Sequence, residues 1–427
     1  MSDTYLVRKS FGNFLSKRQE RGNDGDPLLS VSQERGVIPQ EEAGRRNIAS
    51  ADKSAYRRVY PGDIVYNTMR MWQGASSSSL YFGVVSPAYT VCQPSDGVSP
   101  KFLAYLLKYP ACVRRFEARS QGITSDVWNL RYSEFAKIQI DFVAQEKHRI
   151  RIVEILSTVD ASIEQTEALI VKYQQIKAGL MHDLFTRGVT PDGHLRPTRE
   201  QAPHLYKESP LGWIPKEWES GGVEKYLIQP AGMKPGPFGS SLTKSVYTES
   251  GYRVYGQEQI LANSLAEGDY YVSASKWVEL RDFAVAEGDI LMTLVGVGTV
   301  GKVLVVREPF EPGIINPRVM RLRPNNIACS IEFLRQLISS SLARSQFNRF
   351  ATGGTMPVLN ASVVRMVRVP IVPITEQQLI ASVLSSHDAR LAIERKLCQK
   401  LLRQKHGLMH DLLTGRVRVK VAETASI

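Results

Sequence analysis

Apolar residues between positions 152 and 184 recur in alternating steps of four and three. Ile152, Leu156, Val159, Ile163, Thr166, Ile170, Tyr173, Lys177, Leu180 and Leu184 form the row, and only Thr166 and Lys177 break its apolar character. Such a seam predicts a long helix with one stripe to bury. The pattern returns at Ile380, Leu384, Leu391, Cys398, Leu401, Leu408 and Leu412, with His387, Glu394 and Lys405 as polar breaks. The stretches 152–189 and 380–417 align without a gap at an offset of 228, and 16 of 38 positions are identical. Residues 179–184 and 407–412 both read Gly-Leu-Met-His-Asp-Leu. The chain therefore carries a tandem duplication. A single seam cannot cover itself, so the two helices are expected to bury each other as an antiparallel coiled coil. Thirty-odd helical residues at about 1.5 Å each make a rod of roughly 50 Å. The competing expectation is two amphipathic helices, each packed on its own domain.

Outside the helices the period changes. Residues 1–143 alternate turn signals with runs rich in Val, Ile, Tyr and Thr: PLLSVSQERGVIP, YPGDIVYNTMRMW and LYFGVVSPAYTVCQP. These predict short strands. A helix is expected over 100–119, a turn at 121–124 and a last strand over 136–143. Residues 211–373 repeat this order. Residues 286–291 match 60–65, and 313–317 match 83–87. Beyond that the offset settles at 231, so Phe102, Leu103, Leu106, Gly122, Thr124, Val127 and Asn129 meet Phe333, Leu334, Leu337, Gly353, Thr355, Val358 and Asn360. The first half of each block diverges. The expected class is α+β: two similar mixed α/β blocks separated by two long helices, pseudo-twofold through internal duplication. Expected divisions are a first block at 1–143, a first helix at 144–189, a linker at 190–210, a second block at 211–373, a second helix at 374–417 and a tail at 418–427. A body with two unlike heads suits a target with two unlike half-sites.

Composition narrows the partners. The net charge is +12 with a pI near 9.4. It is spread as +5 over 1–143, +3 over 211–373 and +4 over 374–427, with the rest neutral. Folded basic surfaces of this kind suit a polyanion. No apolar run is long enough to span a membrane, and the N-terminus lacks the apolar core of a signal peptide. Cys92, Cys112, Cys329 and Cys398 are scattered without a Cys-x-x-Cys pair. They argue for reduced thiols in the cytoplasm and against a disulfide framework or metal site.

Familiar catalytic patterns are incomplete. Residues 296–301 fit Gly-x-Gly-x-x-Gly, but a dinucleotide site needs that loop to open a helix, and Lys302-Val303-Leu304-Val305-Val306 reads as a strand. The loop is expected to be a turn between strands. Ser86-Pro87-Ala88-Tyr89 lacks the second proline of an amino-methyltransferase box, and no phosphate-binding loop is present. His182 and His410 are lone histidines on helices. The better lead lies in basic, aromatic and small residues at 68–76, 236–244 and 299–302. Arginine and glutamine there could read base edges, and small residues permit close approach. Candidate DNA-contacting residues are Arg70, Trp72, Gln73, Lys244, Lys302 and Arg318.

With this layout in view, the chain resembles the specificity subunit of type I restriction–modification enzymes. The resemblance is carried by the helix ends at 179–186 and 407–414, by Glu376-Gln377-Gln378-Leu379-Ile380, by the Leu211-Gly212-Trp213-Ile214-Pro215-Lys216-Glu217-Trp218 opening and by the loop at 236–242. The first block departs from it, with no Trp-Ile-Pro-x-x-Trp opening and a different start to its long helix. The resemblance implies a non-catalytic subunit. Its blocks would be target-recognition domains, each reading half of a bipartite double-stranded DNA target. Its helices would space them and dock two modification subunits. Leu156, Ile163, Ile170, Leu180, Met181, Leu184, Leu384, Leu391, Leu401, Leu408, Met409 and Leu412 are the expected seam and docking residues. This chain would hold no cofactor. S-adenosylmethionine would lie in the modification subunits, and ATP and Mg would serve restriction subunits that translocate and cleave DNA. A stand-alone two-domain DNA methyltransferase or nuclease is the alternative, and a coiled-coil scaffold with no nucleic-acid role a third.

Overall fold

A computed structural model describes residues 4–23, 25–32, 35–44, 53–122, 128–237, 239–354 and 356–421. Thr124, Val127 and Thr355, named above, and Phe238 of the 236–244 stretch lie outside the described residues. The chain divides into two compact units, one of residues 1–167 with 396–427 and one of residues 168–395.

The first long helix runs Glu146–Thr186 and the second Ile374–Leu413. Each contributes to both units. In the first unit, Lys405 pairs with Asp160, and the Glu167 charge acts on Cys398. A step of seven forward on one helix is a step of seven back on the other, so the segments run antiparallel. In the second unit, Lys177 pairs with Asp388, and Arg390 lies over Tyr173. Leu184 there shares a core with Ile380 and Leu384. The direction is again antiparallel.

The globular parts are built on one plan. In the first unit a four-stranded antiparallel sheet has the order Leu15–Lys17, Tyr89–Pro94, Ile64–Asn67, Ser76–Ser78. In the second the order is Met233–Pro235, Val319–Leu322, Ile290–Thr293, Val303–Val305. A strand pair closes each unit onto its helix: Leu6–Ser10 with Gln139–Val143, and Glu219–Gly222 with Arg368–Ile371. The turns that start the central strands also coincide. The Asp63 and Asp289 carboxylates accept from the backbone N–H of Tyr60 and Ala286 and are buried against Arg18 and Arg323. Gly62 and Gly288 take φ +94 and +84 there, which L side chains rarely adopt.

The units part where their sequences part. Strand Gly83–Val85 pairs antiparallel with Arg57–Val59 in the first unit. Its counterpart, Gly313–Ile315, pairs parallel with Tyr252–Tyr255, in a second sheet that also holds Tyr271–Val272 and Tyr247–Thr248.

One expectation needs correction. The single helix over 100–119 is two helices, Pro100–Lys108 and Pro110–Arg119. Pro110 lacks an N–H and holds Tyr109 extended at ψ 130, which ends the first helix. The matching pair Ile331–Ser339 and Ser341–Phe350 breaks without proline, where the Ser340 side chain caps the second helix. The stretch 190–210, expected as a linker, is tied down. Tyr206–Ser209 pairs with Gly212–Pro215. Arg187 donates to the Arg196 carbonyl, and Tyr206 Oη to that of Pro197. Polar anchoring of the backbone adds to the burial of Ala202 and Tyr206 and the packing of Leu195 on the core.

Candidate nucleic-acid interface

Each unit has a cavity at the same end of its four-stranded sheet, where the chain leaves one central strand and enters the next, polar in the first unit and mixed in the second. In the first unit it measures about 490 Å³ and is lined by Ser30, Arg35, Asn67, Arg70, Gln73 and Tyr89 among others. The loop carrying Arg70 and Gln73 is fixed from both sides. Asn67 Oδ1 accepts from the Met69 N–H at 2.9 Å. Thr68 donates to the Ala88 carbonyl through both N–H and Oγ1 and accepts from the Leu130 N–H. Gly74 closes the turn at φ +78. Arg70 itself is exposed. Arg35 stands opposite, paired with Glu42 at 2.7 Å.

In the second unit the cavity measures about 440 Å³ and is lined by Lys244, Tyr247, Gln257, Tyr270, Asn316 and Arg318 among others. Asn316 Oδ1 accepts from the Arg318 N–H at 2.9 Å, and the Arg318 carbonyl accepts from the Leu294 N–H. This is the tie that Ala88 makes to Thr68 in the first unit. A β-carbon on Gly236 would fall 1.9 Å from the Asn316 carbonyl oxygen, so only glycine lets the strand pass here. Burial raises the Tyr247 pKa, with the Glu258 charge adding to it.

The structure thus gathers Arg70 with Gln73, and Lys244 with Arg318. It does not bring the other two candidates to these cavities. Trp72 donates from Nε1 to the Met69 carbonyl and packs edge-on against Trp128, with ring centroids 5.4 Å apart. It braces the loop. Lys302 sits half-buried at the end of the 296–301 turn, which joins antiparallel strands Ile290–Thr293 and Val303–Val305 and opens no helix. Sequence reasoning missed Arg35, Asn67, Tyr89, Gln257 and Asn316. They come from separate segments, and only the sheet order brings them together.

The chemistry offered is recognition: donors in a fixed fork, amides and tyrosines around an open cavity. The four cysteines are buried, and burial pushes the Cys112 and Cys329 thiols up to about 12. Among the described residues no three or more His, Cys, Asp or Glu side chains group to hold a metal, and no helix is long and apolar enough to cross a membrane.

Residues 239–403 match the model of the type I restriction modification DNA specificity domain. The type I restriction enzyme MjaVIII specificity subunit of Methanocaldococcus jannaschii is 24% identical over 378 residues, which cover 86% of this chain and 83% of that one. The putative MjaX specificity subunit of the same organism is 23% identical over 428 residues, covering 96% and 91%. Over most of its length the chain is similar to type I specificity subunits. Its fold agrees. The S subunit of the type I system from M. genitalium superposes with a TM-score of 0.53 at 14% identity, over 97% of both chains. A chain from a type I assembly structure superposes at 0.57 and 14%, over 97% of this chain and 99% of that one.

Proposed function

We propose that this subunit gives a type I restriction–modification system its DNA sequence specificity, each globular unit reading one half of a split target. One observation carries the reading. Two scaffolds with the same sheet order present cavities at the same end, walled by different residues. That is the arrangement expected of paired readers with unlike half-sites. Arg70 and Gln73 would read base edges in one half-site, and Lys244 and Arg318 would contact bases or phosphates in the other. Lys302 would contact phosphate.

The helices supply the mount and the docking surface for two modification subunits. Leu156, Ile163, Leu184, Leu384, Leu391, Met409 and Leu412 are buried, and they hold each unit together. A partner would meet exposed apolar residues instead: Leu169, Val171, Ile176 and Ile393 in the second unit, and Leu397 and Leu402 in the first, all 39% exposed or more. Methyl transfer from S-adenosylmethionine, and ATP- and Mg-dependent translocation and cleavage, would belong to other subunits.

The test is a methylation map of DNA exposed to the complex of this chain with its modification subunits. The expected result is adenine marked in one split motif. Arg70→Ala should relax a single position, at a cost of about 1–3 kcal/mol in discrimination. Uniform weakening on all sequences would remove Arg70 from base reading. Binding of labelled S-adenosylmethionine by this chain alone would favour a self-sufficient methyltransferase.

A further inference from the structure

Two carboxylates occupy equivalent places in the duplication and make equivalent bonds. Asp160 and Asp388 are 228 positions apart, as are Lys405 and Lys177. In the first unit, Asp160 Oδ1 accepts from Lys405 Nζ at 2.6 Å, and Oδ2 accepts from Tyr105 Oη at 2.6 Å. In the second, Asp388 Oδ1 accepts from Lys177 Nζ at 2.5 Å, and Oδ2 accepts from Gln336 Nε2 at 2.6 Å and Arg335 Nη2 at 2.8 Å. Tyr105 and Gln336 are themselves partners in the duplication, 231 positions apart. Each aspartate thus accepts with one oxygen from the opposite long helix and with the other from a helix of its own globular part, Pro100–Lys108 or Ile331–Ser339.

We propose that these two nodes set the register of the antiparallel helix pair and fix the station at which each globular part is mounted on it. The proposal rests on the reading of the chain as a split-site recognition subunit. Apolar seams tolerate slippage, because one heptad of leucines resembles the next, whereas a buried polar residue selects one register. The lysines are only 17% and 24% exposed, so a slipped register would leave at least Lys177 without a carboxylate. A shift of seven in one direction would set Lys177 against Arg395, although Lys405 would then face Glu167. A shift in the other would set Lys177 against Ala381 and Lys405 against Val153. Either shift also takes the aspartate away from Tyr105 or Gln336. A one-heptad slip moves the mount by about 10 Å, or roughly three base pairs. The nodes would therefore act on the gap between half-sites and leave the bases read within them unchanged.

The decisive variant replaces both pairs by leucine: D160L, K405L, K177L and D388L in the full chain with its modification subunits. Swapping an ion pair for apolar residues of similar size is often neutral or stabilising, and Arg335 and Gln336 keep Glu332 as a partner, so the variant should fold, with a melting temperature lowered by the bonds that Tyr105, Arg335 and Gln336 lose. Spin labels at the exposed positions 164 and 400 should give one distance in wild type and more than one in the variant. The methylated motif should keep its two half-sites but acquire additional gap lengths about three base pairs from the original. One distance and one gap length in the folded variant would overturn the proposal. Should the leucine variant fail to fold, D160N with D388N keeps the shape, removes the charge and is judged by the same two readouts. If wild type marks no split motif, the functional reading fails, and the label distances still decide the register.

Discussion

The two long helices start on the same device and differ in the group beside it. At the second start, Gln377 accepts from the Ser330 N–H and donates to the carbonyls of Ala328 and Val372. At the first, Arg149 holds the equivalent position and donates to the carbonyls of Gly97 and Val143, adding that of Ala144. The residue types differ, but the job is the same: a buried donor ties the helix to the strand before it and to the loop beneath it. One position earlier the starts diverge. Glu376 is 7% exposed and accepts from Arg196, the Val189 N–H at 2.8 Å and Trp218 Nε1 at 2.9 Å. Its counterpart His148 meets only the Tyr5 ring, at 5.0 Å between centroids, among the ring contacts of that site. Duplicated scaffolds keep the backbone groups to be satisfied and are free in how they satisfy them. Where one copy commits to a buried charge, every partner of that charge must be kept with it.

The largest effect should come from Glu376→Ala. It leaves Arg196 without its carboxylate and removes the acceptor for Trp218, and should cost about 3–5 kcal/mol. His148→Ala should cost far less, and equal losses in denaturant unfolding would erase the contrast. Arg149→Ala comes next, at about 2–3 kcal/mol for three carbonyls left unpaired. Arg149→Gln should recover much of that, because glutamine does the work at position 377. Failure of this rescue would show that the two starts are not interchangeable. Trp218→Phe keeps the ring and loses one bond to a charged acceptor, for about 1.5–3 kcal/mol at most. The smallest effect is in pH. Burial pushes the Asp388 carboxyl up, but Lys177, Gln336 and Arg335 outweigh this and hold it below its ordinary 3.8. A depressed carboxylate adds stability above its unfolded value and loses it as pH falls through its folded one. Melting temperature should therefore drop below about pH 4, and Asp388→Asn should flatten that limb.

The repeat, the seams, the strand runs and the basic loops were legible because each is a local pattern or a self-match. The break at Pro110 was legible too, but a continuous apolar period hid it. The Asp160 and Asp388 nodes were not. Each aspartate lies one step off its seam and reads as a solvated charge until the antiparallel register places a lysine across from it. The equivalence of Arg149 and Gln377 escaped for a different reason: their shared targets are main-chain carbonyls, which carry no letter. The cavities needed tertiary order, since Arg35, Asn67 and Tyr89 meet only through hairpin and sheet pairing.

The second unit is one unbroken stretch, 168–395, whereas the first is assembled from 1–167 and 396–427. Met409, Leu412, Leu413 and Val419 complete a core otherwise built from residues 5–156. On the ribosome the two units therefore finish in the reverse of the order in which they begin. The first block emerges early and waits with part of its core uncovered while the whole of 168–395 is made. It closes only when the second helix arrives, so slow or interrupted synthesis past residue 395 exposes the first unit to aggregation and spares the second.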